Sequence, residues 1–319
     1  MRIVFMGTSE FSIPSLQALV TQHFDIVAVV TQPDRPSGRG KRLMPPPVKV
    51  AAAQLHLTVY QPERLRRPDF IRTLRNLRPN AIVVVAFGQL IPKAVLDLPP
   101  CGCINVHPSL LPKYRGAAPI QWALINGEEE TGVTIMLLDE TEDTGDIILQ
   151  RRVMVDPLED AAMLSHRLAC AAAKTLVQVL QATPSDAPPP HTPQNHDDAT
   201  HAPKLTKESG RIDWNAPAVE ICNLVRGTAV WPGAFTYFNG ELRLKILQCH
   251  VIVDSRQCGN VPGIVTVTPQ RDLIIGTGTG VLKVTQVQPA NKRIMDAKEF
   301  VNGYRVKSGT CFSQLSRNG

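Results

Sequence analysis

An α/β domain with a doubly wound, mostly parallel sheet, followed by a small β-barrel, is the fold class this sequence predicts. Three observations predict it. Continuous Val/Ile-rich runs alternate with helical patterns through the first half of the chain, as in strands buried on both faces of a parallel sheet. A polar, Pro-rich stretch then interrupts the pattern from residue 183. Beyond it, short β-like pieces are separated by Gly, Asn and Pro.

Residues 2–6, 25–31 and 81–86 are the apolar runs of the first half, the last reading Ala-Ile-Val-Val-Val-Ala. Between them, residues 12–21 repeat apolar positions at helical spacing with Pro14 near the start, and 68–77 do so with Phe70, Ile71, Leu74 and Leu77. Residues 102–107 read as another strand, a helix starts near Pro119, and 132–138 is again β-like. Strand–helix alternation implies ligands beyond the carboxyl ends of the strands, where the strand order reverses. Residues 183–203 are rich in Pro and polar side chains and read as a semi-rigid tether with solvated histidines. After it, one helix fits 217–226, and β pieces fit 234–238, 242–253, 263–267, 273–276 and 281–287, which suits a barrel better than a second α/β domain. The expected organisation is an α/β domain over 1–182, a linker over 183–204 and a second domain over 205–319.

Composition narrows the function classes. The 319 residues are 43% hydrophobic and 19% charged, which excludes a disordered chain. No run approaches the roughly 20 apolar residues of a membrane span. The N-terminal apolar run is too short for a secretion signal. Seven scattered Cys suit reduced thiols in the cytoplasm. The net charge of +6 lies entirely in residues 205–319, with 14 basic and eight acidic residues, which points to a polyanionic partner. The stretch 33–49 adds Arg35, Arg39, Lys41 and Arg42, a flexible loop able to reach phosphates or base edges. In the C-terminal module Arg211, Arg243, Lys245, Lys292 and Arg293 are the main candidate phosphate neutralisers, with Lys283, Arg305 and Lys307 beside them.

The chemistry concentrates in residues 101–146. Asn105 and His107 are two apart on a strand that Pro108 ends, so both point to one face. Asn can donate to a developing oxyanion and His can exchange protons near neutral pH. A long loop follows, and then the acidic turn Asp139-Glu-Thr-Glu-Asp-Thr-Gly-Asp146, any of whose carboxylates could orient His107. The first βα loop, Gly7-Thr-Ser-Glu-Phe11, lacks the G-x-G-x-x-G spacing of a dinucleotide site. Cys101 and Cys103 lack a zinc spacing and read as packing, so no metal site is expected.

Asn105-Val-His107, Ser109-Leu-Leu-Pro112, Arg115-Gly-Ala-Ala-Pro-Ile120, Gly132-Val-Thr-Ile and Asp143-Thr-Gly-Asp146 closely resemble, in order and spacing, the formyltransferase family that uses 10-formyltetrahydrofolate. Phe5-Met-Gly-Thr-Ser-Glu-Phe11, Arg211-Ile-Asp-Trp214 and Trp231-Pro-Gly-Ala234 extend the resemblance from end to end. One departure is Gly227-Thr-Ala-Val-Trp231, where relatives often carry Asn-Pro before the Trp. The resemblance implies Asn105, His107 and Asp143 as the catalytic groups. It places the folate-contacting loop on Ser109, Leu110, Leu111 and Pro112, and the pterin pocket around Phe87, Gly88, Gln89, Leu90 and Ile91. It implies 10-formyltetrahydrofolate as co-substrate, methionyl initiator tRNA as acceptor, the basic module as an OB-like tRNA-binding domain, no metal, and a monomer.

Overall fold

The computed structural model describes residues 1–37, 42–252 and 261–313. The expected contacts Arg39 and Lys41 lie outside the described residues. The chain divides into two compact units. The first comprises Met1–Pro119, Glu130–Met154 and Ser165–Pro203; the second comprises Ile120–Glu129, Val155–Leu164 and Lys204–Gly319.

The elements of the first half, in order, are β1 (Arg2–Gly7), α1 (Ile13–Thr21), β2 (Asp25–Val30), β3 (Arg35–Ser37), β4 (Arg42–Met44), α2 (Pro47–Gln54), β5 (Val59–Tyr60), α3 (Pro68–Asn76), β6 (Ala81–Val85), α4 (Lys93–Leu96), β7 (Cys103–His107), α5 (Pro119–Ile125), β8 (Glu130–Leu137), β9 (Ile147–Met154) and α6 (Ala161–Ala182). Pro occupies the first turn of α1, α2 and α3, where its missing N–H costs nothing and its fixed φ suits the helix. β6 is buried at all five positions, as its Ala-Ile-Val-Val-Val sequence demands.

The main sheet has the order β5-β2-β1-β6-β7-β8-β9. Its first five strands are parallel, while β8 and β9 join antiparallel. From β1 the chain runs outward through β2 to β5, then returns to the other side of β1 as β6. The order therefore reverses between β1 and β6, which opens a crevice at their carboxyl ends, Gly7 and Val85. Asp34 accepts hydrogen bonds from Gln61 Nε2 and Lys49 Nζ, which, Gln61 foremost, hold its carboxyl below the usual range. The stretch expected as a flexible loop is instead a β3–β4 hairpin springing from that clamp, with Arg35 opposite Met44 and Ser37 opposite Arg42.

Residues 183–203, expected as a tether, belong to the first unit. Thr192 forms a bridge with Ile147 and His201 with Arg115, and the Ala118 N–H donates to Ala202 O at 3.1 Å. The expected histidine exposure holds for His191, His196 and His201, but the backbone of the stretch is bridged at Thr192 and His201.

The second unit continues with α7 (Ala218–Thr228), β10 (Phe235–Phe238), β11 (Leu242–Ile252), β12 (Val265–Val267), β13 (Leu273–Gly276), β14 (Val281–Pro289), β15 (Met295–Asp296), α8 (Ala297–Gly303) and β16 (Phe312–Ser313). Its antiparallel order is β12-β13-β14-β11-β10-β16, with β15 on β14. The edges meet: Ile264 bridges Cys311, the Val265 N–H donates to Thr310 O, and the Phe312 N–H donates to Gly263 O. This joining curls the antiparallel sheet toward the expected small barrel and covers the edges at β12 and β16. Trp214, Leu244, Ile275, Phe300 and Phe312 are among the residues filling its core.

Candidate functional site

β7 delivers the first two groups. Asn105 pairs in register with Val84 on β6 and Met136 on β8, and His107 with Thr134 on β8. Both lie buried, at 9% and 4% exposure, on one face at the strand's carboxyl end. Among the described residues the Asn105 carboxamide makes no hydrogen bond, so its donors remain available to a ligand.

His107 is fixed by its surroundings. Nε2 lies 2.9 Å from Tyr114 O. A carbonyl only accepts, so Nε2 carries the proton that donates to it. Nδ1 then faces Asp143 Oδ2 at 3.4 Å, longer than a well-formed N–H···O bond. The Tyr114 carbonyl thus selects the tautomer whose Nδ1 lone pair is free for proton transfer, and the carboxylate stands ready to stabilise a cation on that ring.

Asp143 Oδ2 also accepts the Gly116 N–H at 2.9 Å. Both Tyr114 and Asp143 have left-handed backbone, with φ of 62° and 55°. Neither is glycine, so each stores strain, and two such residues converge on one histidine.

The loop after β7 is held by a short chain of polar contacts. Thr134 Oγ1 donates to Ser109 O at 2.7 Å and accepts the Leu111 N–H at 3.1 Å. Gln150 Nε2 donates to Leu111 O at 2.7 Å, and Ser109 Oγ donates to Lys113 O at 2.7 Å. Ser109 and Leu111 are buried, while Leu110 and Pro112 are partly exposed. Leu110 packs on Gly132: a Cβ there would meet Leu110 Cδ2 at 2.5 Å and clash with Arg151 O. The sequence does not mark Thr134 or Gln150: Thr134 falls in the expected β-like run 132–138, whereas the strand that carries Gln150 is not among the expected elements.

At the β1/β6 crevice, Thr8 Oγ1 donates to Phe87 O at 2.7 Å and Ser12 Oγ to Val85 O at 2.6 Å. Ala86 (φ 44°) and Gly88 (φ 85°) turn the chain sharply, with open space where a Gly88 Cβ would sit. The Phe87 ring is 2% exposed and packs in the core with Val4, Met6 and Val84. Gln89 is engaged with the Leu65 N–H and Glu63 O, and Ile91 is partly buried. Leu90 is 78% exposed. Exposed backbone beside an apolar side chain suits a flat heterocycle with amide-like edges, which is the chemistry of a pterin ring.

Cys101 Sγ donates to Pro184 O at 3.1 Å and Cys103 is buried, its thiol pushed up to about 12 by desolvation. Among the described residues no helix is long and apolar enough to cross a membrane.

The basic residues divide. Arg35 and Arg42 are exposed on the hairpin. Arg211 bridges Phe235 and pairs with Glu208, Lys245 lies opposite Phe235, and the Arg243 guanidinium stacks 3.9 Å above the Phe235 ring. Three of the expected cations therefore gather around one aromatic residue. Lys292 and Arg293 are exposed between β14 and β15, with Arg293 3.3 Å from Glu299.

Residues 1–180 match the family described as formyl transferase, and 204–305 match formyl transferase, C-terminal domain. The methionyl-tRNA formyltransferase of Acetivibrio thermocellus is 44% identical over 98% of this chain and 100% of its own length. That of Pelobacter propionicus is 47% identical over 97% and 95%. Among solved structures, the N-formyltransferase from Helicobacter canadensis in complex with folinic acid and dTDP-3-aminofucose superposes with a TM-score of 0.65 at 18% identity, over 90% of this chain and 99% of that one. HypX from Aquifex aeolicus in complex with tetrahydrofolic acid superposes with a TM-score of 0.64 at 18% identity, over 97% and 48%. At such identities the two structures speak for the fold alone.

Proposed function

This chain belongs to the formyl transferase family, and from that premise we propose that it transfers the formyl group of 10-formyltetrahydrofolate to the α-amino group of methionyl initiator tRNA, giving N-formylmethionyl-tRNA. The acceptor is supported by similarity across the whole chain to relatives named methionyl-tRNA formyltransferase. The observation that carries the chemistry is the buried His107–Asp143 pair beside a carboxamide with free donors.

The roles follow from the geometry. The methionyl amine attacks the formyl carbon, and His107 Nδ1 takes the proton that the amine gives up. Asp143 stabilises the imidazolium so formed. The Asn105 amide donates to the tetrahedral oxyanion. His107 then returns the proton to the folate nitrogen as the carbon–nitrogen bond breaks, so protons and charge balance. The strand ends and the 109–112 loop hold the donor, with Ser109, Leu110, Leu111 and Pro112 on one side and the 87–91 turn on the other. No step in this sequence needs a metal ion.

Arg35, Arg39, Lys41 and Arg42 reach the acceptor end of the tRNA, and Arg211, Arg243, Lys245, Lys292 and Arg293 meet phosphates from the second unit. The unpaired thiols of Cys101, Cys103, Cys222 and Cys249 fit a reducing cytoplasm.

The test is formylation of initiator tRNA charged with methionine, with 10-formyltetrahydrofolate as donor. N-formylmethionine on the tRNA is the expected product. Formylation of an amino-sugar nucleotide instead, with charged tRNA untouched, would overturn the acceptor assignment.

A further inference from the structure

Gln194 sits in the Pro-rich stretch, yet its side chain is 5% exposed. Its amide is saturated. Nε2 donates to Asp143 O at 2.9 Å and to Gly145 O at 2.7 Å. Oε1 accepts from Arg115 Nε at 3.2 Å and Nη2 at 2.7 Å. A guanidinium offers only donors and the loop presents only carbonyls, so these partners fix which way the amide faces. The Arg115 Nη2 is further held 3.0 Å from His196 Nδ1.

These bonds act on the residue that most needs them. Asp143 is held at a φ of 55°, a conformation that persists only where surrounding contacts over-determine it. Its carboxylate is fixed by the Gly116 N–H, and its own carbonyl by Gln194. Gly116 follows Arg115, the residue at the other end of the Gln194 amide. One side chain therefore joins the loop that carries Asp143 to the loop that binds the Asp143 carboxylate.

We propose that Gln194 is a positioning residue for formyl transfer, holding the 143–145 turn so that the Asp143 carboxylate stays on the Nδ1 side of His107. It touches no substrate and acts through Asp143. Its effect on turnover rests on the formyl-transfer reading above, whereas the positioning itself does not.

Two variants of similar length separate positioning from mere packing. Gln194→Met keeps the volume and loses all four hydrogen bonds. Gln194→Glu keeps the shape and the Arg115 contact but sets a carboxylate oxygen against two carbonyl oxygens. Both are expected to lower kcat by about 10²-fold, the cost of a displacement of roughly 1 Å at the reacting groups, with KM for donor and charged tRNA within about threefold.

A second readout needs no substrate. The Gly116 amide, bonded to Asp143 Oδ2, reports the carboxylate's place by its NMR resonance. It should move in both variants toward its position in Asp143→Ala. An unmoved Gly116 resonance in folded Gln194→Met, an unchanged kcat, or a rise in KM alone would each overturn the proposal. If Gln194→Met does not fold, Gln194→Glu decides by the same measurements. If the resonance moves but the unaltered protein formylates no methionyl-tRNA, the acceptor assignment falls and the positioning role stands.

Discussion

Asn239 and Asp143 adopt nearly the same left-handed backbone, φ 53° and 55°, in the two units of the chain. Asn239 precedes Gly240 in the turn between β10 and β11, where an Asn-Gly pair is what a tight hairpin selects. Its conformation serves the barrel and is written in the local sequence. Asp143 is followed by Thr-Gly, its neighbours favour no such turn, and its conformation depends on hydrogen bonds from residues 27 and 51 positions away. Other left-handed residues of the first unit divide in the same way. His23, His56 and Arg78 each lie just past a helix end, a usual place for such a residue. Tyr114 and Ala86 instead border the histidine and the β1/β6 crevice. Left-handed backbone at a hairpin or a helix end follows local chain geometry, whereas left-handed backbone held by contacts distant in sequence lies where the proposed chemistry is positioned.

The sharpest way to test that division is to remove the groups that the strained backbone serves. Asn105→Ala and His107→Ala should each lower kcat by at least about 10²–10³-fold, with melting temperatures close to the unaltered protein. Near-normal turnover in both folded variants would end the assignment of this site. Asp143→Asn comes next. Asn tolerates left-handed backbone as well as Asp does, so the variant should fold normally and still lose about 10²-fold in kcat through the missing charge. A large fall in melting temperature together with the lost activity would show that Asp143 serves the fold rather than the reaction. Asn239→Ala is the counterpart in the barrel. Ala lacks the side chain that eases a φ of 53°, so about 1 kcal/mol of stability should be lost in denaturant unfolding, with kcat unchanged. Equal catalytic losses at 143 and 239 would dissolve the distinction.

The division also explains what the sequence made legible. β1 and β6 were readable because burial on both faces leaves an uninterrupted apolar run, and α1 and α3 because apolar positions recur in them at helical spacing. Asn105 and His107 were readable as a pair because strand geometry alone sets them on one face. The choice among five acids in the 139–146 turn was not, since nothing within the turn distinguishes Asp143; the discriminating contacts come from Gly116 and Gln194. Gln194 was hidden for the same reason, in a stretch whose composition suggests a solvated tether but whose backbone pairs with residues 115 and 147. The β3–β4 hairpin escaped because its strands are three residues each, too short for periodicity. The 22-residue α6 is absent from the expected elements although its buried Leu164, Leu168, Leu176 and Leu180 recur at helical spacing, a signal the sequence does carry. Phe87 was expected at a ligand pocket and is core instead, because the turn at Ala86 and Gly88 inverts which way the intervening side chain points.

Electrostatics sharpens the comparison at the smallest scale. In the barrel unit Asp272 pairs with Lys283 at 3.0 Å and Lys298 at 3.4 Å, and these ammonium groups, Lys283 foremost, hold its carboxyl below the usual range. A carboxyl whose folded-state value is depressed stabilises the fold above its unfolded value, near 3.9, and that contribution disappears as pH falls through the folded-state value. Asp272→Asn should therefore cost about 1 kcal/mol or less at pH 7, and the difference from the unaltered protein should vanish once pH has fallen below the depressed folded-state value. Salt near 1 M should shrink the pH 7 difference as well, because the pair borders solvent. The His107–Asp143 pair, at 6% and 12% side-chain exposure, is shielded from that screening. Loss of formylation in Asp143→Asn should accordingly persist at the salt that erases the Asp272 effect, provided that turnover is measured with charged tRNA at saturation. A deficit at Asp143 that salt abolished along with the one at Asp272 would mean the two carboxylates do the same work, and the buried pair would lose its claim to a chemical role.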